Sequence, residues 1–218
     1  MPPGGSAPTV VPALIFFVSV KRKQKVNNMT LHIYGWFAYL SAAATILTFI
    51  TGILFFSIGK PFGKINDISS VFQVLFMIPL AIILARTLPA RYLTLGLIAA
   101  IIGVSGMILS TIGQSLLVFG RIDFQGSLKF FPAGGAIGIW LIFVCLLGTG
   151  SGLLPPFFTW IGILAGIGYL VTVIGFLWGG QQNMLFYIGA LVLGISYPIW
   201  AFWLGRLLFS GAFAIGAG

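Results

Sequence analysis

Long apolar segments alternate along this chain with short stretches rich in Gly, Pro and polar residues. The longest stretch without Lys, Arg, Asp, Glu or His extends from Phe130 to Gly205. A water-soluble domain must carry polar groups across its surface, so it cannot leave so long a stretch uncharged. Because one helical crossing of a bilayer takes about 20 residues, this stretch has room for three transmembrane helices. The pattern therefore predicts a protein embedded in a membrane.

The same pattern over the whole chain predicts an all-α fold, an integral membrane bundle of six transmembrane helices with short loops. The predicted spans are residues 32–58, 68–88, 93–120, 133–148, 157–177 and 184–209. We expect residues 29–218 to form a single transmembrane domain. Thr30 is expected to cap the start of the first span, and Asn66 or Asp67 the start of the second.

Residues 1–28 differ from the rest of the chain. An apolar stretch of residues 10–20 is too short to cross a bilayer, and a basic cluster follows it at residues 21–25. A secretory signal has its basic residues before the apolar stretch, not after it. Two interpretations remain open. The segment is a disordered tail upstream of a start at Met29, or it lies on the membrane surface and binds anionic lipid.

Composition strengthens the membrane prediction. The chain has 218 residues, of which 59% are hydrophobic and only 6% are charged, whereas soluble proteins carry about 25% charged residues. The net charge of +9 comes from basic residues that lie between apolar segments. These residues are typical of topology signals and lipid-headgroup contacts, not of nucleic-acid binding. The expected partner is the lipid bilayer, and no nucleic acid is expected to bind.

Six spans place both termini on one side of the membrane. Seven basic residues lie on that side and four on the other, and the excess comes wholly from the N-terminal tail. Because basic residues favour the cytoplasmic side, we expect a protein of the inner (plasma) membrane with both termini in the cytoplasm.

Glycines in spans three, four and five recur at intervals that place them along one side of a helix. Small residues at such positions let neighbouring helix backbones approach closely. The residues predicted to pack helices together are Gly103, Gly106, Gly113, Gly134, Gly138, Gly162 and Gly166. We expect span three, with its two glycine series, to be central in the bundle.

Three uncharged polar residues are predicted to form a layer in the outer half of the membrane. Thr51, Gln73 and Gln114 lie five to seven residues from the outer ends of their spans. An amide that faced lipid would lack hydrogen-bond partners, so both glutamines should face inward. The layer is either a set of interhelical hydrogen bonds that hold the bundle together or the floor of a polar cavity open to the outside.

Charged residues in the outer loops would surround the mouth of such a cavity. They are Lys60, Lys64, Asp67, Arg121 and Asp123. The alternative interpretation is that these five residues are ordinary loop charges that form local ion pairs.

The chain has few residues that could perform chemistry. His32 is its only histidine and Cys145 its only cysteine. His32 is either an interfacial residue or a single axial ligand, because one histidine cannot supply both ligands of a bis-histidine haem. Metal sites need clusters of His, Cys or carboxylate, and hydrolases need paired catalytic groups. We therefore predict no metal, no cofactor and no enzymatic activity.

Several short segments resemble a group of small bacterial six-span membrane proteins known only as a domain of unknown function. The similar segments are ILFF at 53–56, GKPFGKIND at 59–67, VFQVL at 71–75, GIGYL at 166–170 and YPIW at 197–200. The resemblance covers about residues 29–209. It implies a six-span topology and no known activity, so it assigns no catalytic residue.

Two functions remain open. The density of small residues indicates a non-catalytic accessory or assembly subunit, which would associate with other membrane subunits or with itself through helix packing. The polar layer, together with Pro79 and Pro198 inside spans two and six, indicates instead a channel or carrier for a small neutral or apolar solute.

Overall fold

The computed structural model describes residues 28–211, and all of its long elements are helices. The helices are α1 (Asn28–Ile58), α2 (Pro61–Thr87), α3 (Ala90–Val118), the single turn α4 (Phe124–Ser127), α5 (Ala133–Gly150), α6 (Pro156–Gly179) and α7 (Met184–Phe209). Six of them are long and apolar enough to cross a membrane. The prediction of an all-α six-span bundle is confirmed, and the chain is a multi-pass membrane protein. The predicted tail lies outside the described residues except for Asn28.

Two of the predicted helix starts are wrong. Helix α1 begins before Thr30, so Thr30 lies inside the helix. Helix α2 begins at Pro61, because proline suits the first turn of a helix, where its missing N–H costs nothing. Asn66 and Asp67 therefore lie inside α2 and cap nothing.

The six long helices form a closed ring. Each packs against the next along the chain, and α7 returns to pack against α1. The closing contact depends on two glycines, because a Cβ on Gly205 would lie 3.1 Å from the carbonyl oxygen of Gly35. The described chain begins and ends at the same end of the ring, where the rings of His32 and Phe209 lie 5.1 Å apart. We call this the terminal end and the opposite end the mouth end.

Small residues face inward and large apolar residues face outward. Helix α3 buries Gly96, Ala99 and Gly103, whereas Leu95, Ile98 and Ile101 are half to two-thirds exposed. The outer surface is therefore suited to hydrocarbon, while the inner surface allows close approach of helices. The prediction that span three is central is wrong, because α3 is one member of the ring, with α2 and α5 as its neighbours.

The terminal half of the ring interior is tightly packed with aromatic side chains. Trp200 stacks on Phe158 with ring centroids 5.4 Å apart and meets Trp140 edge-on at 6.4 Å. Trp140, Phe158 and Trp200 are each 0% exposed. This cluster, which we call the aromatic plug, fills the middle of the ring interior on the terminal side.

Candidate functional site

A cavity of about 670 Å³ occupies the mouth half of the ring. All six long helices contribute residues to its wall, and so does the segment between α3 and α5. Its volume lies within the range that is usual for small-molecule sites, about 300–1,000 Å³. The cavity is therefore large enough for an organic solute.

One wall of the cavity is polar. Lys64, Asp67, Ser70 and Gln73 line it from the first half of α2. Ser110 and Gln114 from α3 line it at an interval of four. Because α2 and α3 are neighbours in the ring, these polar residues lie on adjacent helices, and we call them the polar wall.

The rest of the cavity lining is mainly apolar and rich in phenylalanine, with Ser127, Thr172 and Gln181 as polar members. Seven phenylalanines from α1, α4, α6, α7 and the segment before α5 line the cavity: Phe55, Phe56, Phe124, Phe130, Phe131, Phe176 and Phe186. Phe131 packs against Phe176 and Phe186, with ring centroids 4.5 and 5.7 Å away. These contacts fix the ring of Phe131 at the junction of α5, α6 and α7.

The floor of the cavity is a hydrogen bond across the ring. The amide nitrogen of Gln73 donates to the hydroxyl of Tyr169 over 3.1 Å. In the ring order, α2 and α6 lie opposite each other, so this bond spans the interior. Beside it, Ser41 and Tyr197 share a hydrogen bond of 2.7 Å, and the Ser41 hydroxyl also donates to the carbonyl oxygen of Gln73. The floor therefore ties α1, α2, α6 and α7 together directly above the aromatic plug.

The predicted polar layer is only partly present. Gln73 and Gln114 both line the cavity, but Thr51 is not among the lining residues. Its hydroxyl donates to the carbonyl oxygen of Leu47 in its own helix. Gln73 lies twelve residues inside α2 and not five, because α2 starts at Pro61. At about 1.5 Å per residue, the earlier start places Gln73 about 10 Å deeper than predicted, so the three residues do not share one depth.

The predicted mouth charges separate into two groups. Lys64 and Asp67 line the cavity, whereas Lys60, Arg121 and Asp123 are not among its lining residues. The carboxylate of Asp123 instead accepts a hydrogen bond from the backbone of Gly126 and caps α4.

His32 is exposed at the terminal end, on the other side of the floor. Within residues 28–211, no group of three or more His, Cys, Asp or Glu side chains could hold a metal.

Most of the predicted packing glycines face the chain's own helices. A Cβ on Gly138 would lie 2.7 Å from the carbonyl oxygen of Gly166, and a Cβ on Gly166 would lie equally close to that of Gly138. Gly103 and Gly162 lie against Trp140 and Trp200, and Gly106 and Gly113 against α5 and the segment before it. Gly134 differs, because its nearest neighbour would be Val173 at 3.5 Å.

Tyr169 lines the floor, and Ser41 and Tyr197 are hydrogen-bonded beside it; none of the three was among the predicted site residues. Their partners lie 96 and 156 residues away along the chain, so no local pattern could pair them. One signal was available. A tyrosine in the middle of an apolar span needs a partner for its hydroxyl, because lipid offers none.

The geometry defines a class: a multi-pass membrane protein whose helices surround a cavity sealed toward one end. Comparisons of this chain with protein-family models, curated proteins and solved structures gave no match. The resemblance to small bacterial six-span proteins therefore stays a prediction.

Proposed function

We propose that this protein is a channel or carrier that admits a small uncharged organic solute from the mouth end. The observation that carries the proposal is the cavity itself, with its polar wall, aromatic lining and amide floor. Solute-binding sites in membrane proteins are commonly built in this way, at mid-depth and between helices. The proposal involves no chemical step and assigns no catalytic residue.

Passage to the terminal end requires movement of the floor and of the aromatic plug. The Gln73–Tyr169 bond must break or shift, because it joins helices on opposite sides of the ring. Pro198 lies between Tyr197 of the floor and Trp200 of the plug. A proline inside a helix leaves a carbonyl without its usual partner and weakens the helix there. Helix α7 is therefore suited to bend at this point.

A pair of cysteine variants tests whether the cavity is open. Ser110 lines the cavity, whereas Ser196 is buried outside its lining. We expect Ser110→Cys in nanodiscs to react with a charged methanethiosulfonate at least about a hundredfold faster than Ser196→Cys, because only an accessible thiol can ionise and react. The native Cys145 is buried and supplies a low background. Equal rates for the two variants would refute an open cavity and, with it, the proposed function.

We further propose an inner-membrane location with both termini in the cytoplasm, which makes the mouth face outward. Ser57 is exposed at the mouth end and Ser210 at the terminal end. In intact cells, an impermeant maleimide should label Ser57→Cys nearly completely and Ser210→Cys by less than about a tenth, since the bilayer excludes charged reagents. Labelling of Ser210→Cys should appear after permeabilisation. The reverse pattern would invert the orientation and leave the cavity unaffected.

An accessory or assembly subunit has less support as a function. Its basis was the set of small residues, and six of the seven glycines in that set lie close against helices or loops of the same chain. The remaining one, Gly134, lines the cavity. An assembly role would therefore depend on the large apolar side chains of the outer surface, which also suit lipid.

A further inference from the structure

We propose that the solute of this cavity is uncharged and amphipathic, with N–H or O–H groups along one edge and a flat apolar face opposite. The inference rests on the proposed function and names the chemical class that the cavity would accept. It comes from the arrangement of the two walls, which present different chemistry to the same space.

The polar wall suits a solute whose polar edge is uncharged and both donates and accepts hydrogen bonds. Gln73 and Gln114 each offer a carboxamide, which carries two N–H donors and an acceptor oxygen. The Oε1 atom of Gln114 is buried without a hydrogen-bond partner. Leaving a buried polar atom unpaired is unfavourable. By turning about its last side-chain bond, this amide can present either its oxygen or its nitrogen to a solute.

The aromatic wall suits a flat apolar face. Phe131, Phe176 and Phe186 come from different segments, and Phe131 packs against both of the others at the cavity. Aromatic rings pack favourably against other flat rings in offset or edge-on arrangements. A solute held by its polar edge on α2 and α3 would place its opposite face on these rings.

Charge argues against an ionic solute at the floor. The charged residues of the lining are Lys64 and Asp67, both on α2. Asp67 lies six residues from Gln73, which is about 9 Å along the helix. A charged group beside Gln73 would lose its water without gaining a close counter-ion, and such burial is costly. An uncharged group avoids this penalty.

Four compounds of nearly the same shape separate these alternatives. Benzamide is neutral and both donates and accepts; methyl benzoate is neutral and only accepts; benzamidinium is a cation; benzoate is an anion. Each is tested for its ability to slow methanethiosulfonate modification of Ser110→Cys in nanodiscs, against its free aqueous concentration. We expect benzamide to protect at about a tenfold lower concentration than methyl benzoate, the difference that hydrogen bonds to a buried site produce. We expect both ions to protect more weakly than benzamide.

A second variant tests the role of the amide. Gln114→Leu in the Ser110→Cys protein should raise the half-protecting concentration of benzamide about tenfold and leave that of methyl benzoate nearly unchanged. Each compound partitions into the nanodisc lipid to the same extent with both proteins, so partitioning does not affect the comparison of half-protecting concentrations. Because the structure gives the Gln114 oxygen no partner, this variant removes no known structural bond. Gln73→Leu tests the amide at the floor, where the substitution also removes the hydrogen bond to Tyr169.

The outcomes separate the inference from the function on which it rests. If none of the four compounds protects Ser110→Cys, the cavity does not hold small organic solutes, and the proposed function fails. If methyl benzoate or either ion protects as well as benzamide, the cavity binds solutes but the proposed solute class is wrong. A preference for benzamide that survives in both leucine variants would also overturn the inference, because the amides would not be its source.

Discussion

Gly138→Ala should lower the free energy of unfolding by about 2–3 kcal/mol, since overpacking a close contact costs about 1–3 kcal/mol and sometimes more. The new Cβ would lie 2.7 Å from the carbonyl oxygen of Gly166 and 2.9 Å from the Cβ of Tyr169. Neither atom can be moved aside by a side-chain rotation, because the carbonyl oxygen belongs to the backbone and the Cβ is bonded directly to it. Helices α5 and α6 would have to separate. Unfolding in mixed micelles with increasing dodecyl sulfate, followed by circular dichroism, measures the change.

Gly134→Ala is the matched control, one turn earlier in the same helix. Its Cβ would meet Val173 at 3.5 Å and Tyr169 at 3.8 Å, which are ordinary contacts. Alanine favours the helix over glycine by about 0.5–1 kcal/mol, so this variant should be as stable as the parent or slightly more stable. Equal destabilisation by the two variants would contradict the described packing of α5 on α6.

Gly166→Ala should cost a similar amount, because it enters the same contact from the other helix. Its Cβ would lie 2.7 Å from the carbonyl oxygen of Gly138. The double variant should be destabilised by less than the sum of the single effects, since the first substitution already separates the helices. If these glycines instead joined two copies of the chain, the single variants would alter oligomeric state without altering unfolding.

The fold was largely predictable because bilayer hydrocarbon imposes a simple constraint. A segment that crosses it must be apolar and helical, and both properties can be read locally. The helix ends were less predictable. Asn66 and Asp67 have side chains that suit a helix start, but Pro61 begins α2 earlier. The ring could not be predicted, because the contact that closes it joins Gly35 to Gly205 across nearly the whole chain.

The candidate site was predictable through its two amides and through Lys64 and Asp67, two of the five predicted mouth charges. Gln73 and Gln114 are conspicuous in apolar helices, because an amide cannot face lipid without cost. The aromatic wall was hidden, since phenylalanines that line a cavity look the same in sequence as phenylalanines that face lipid. Phe176 lines the cavity and Phe157 is exposed on the outer surface, yet both lie in α6. The two residues differ in which face of α6 they occupy, and the sequence does not show which face turns toward the ring interior.

The largest functional effect is expected from filling the cavity. Ser110→Trp places an indole in the space between the polar wall and the aromatic wall, where Ser110 now leaves room. Because protein interiors are close-packed and do not share space, this variant should lose at least about 90% of the protein-dependent solute flux. The flux is measured as the shrinking and re-swelling of proteoliposomes in urea or glycerol, followed by light scattering.

Ser105→Trp is the control for that substitution, because it makes the same change on the same helix. Ser105 is exposed on the outer face of α3, where an indole would lie in lipid or at its interface. This variant should keep the permeability of the parent protein. If both tryptophan variants transport like the parent, the solute does not pass through this cavity. If the parent protein conducts neither urea nor glycerol faster than protein-free vesicles, the protein is not an open channel for these two small uncharged solutes.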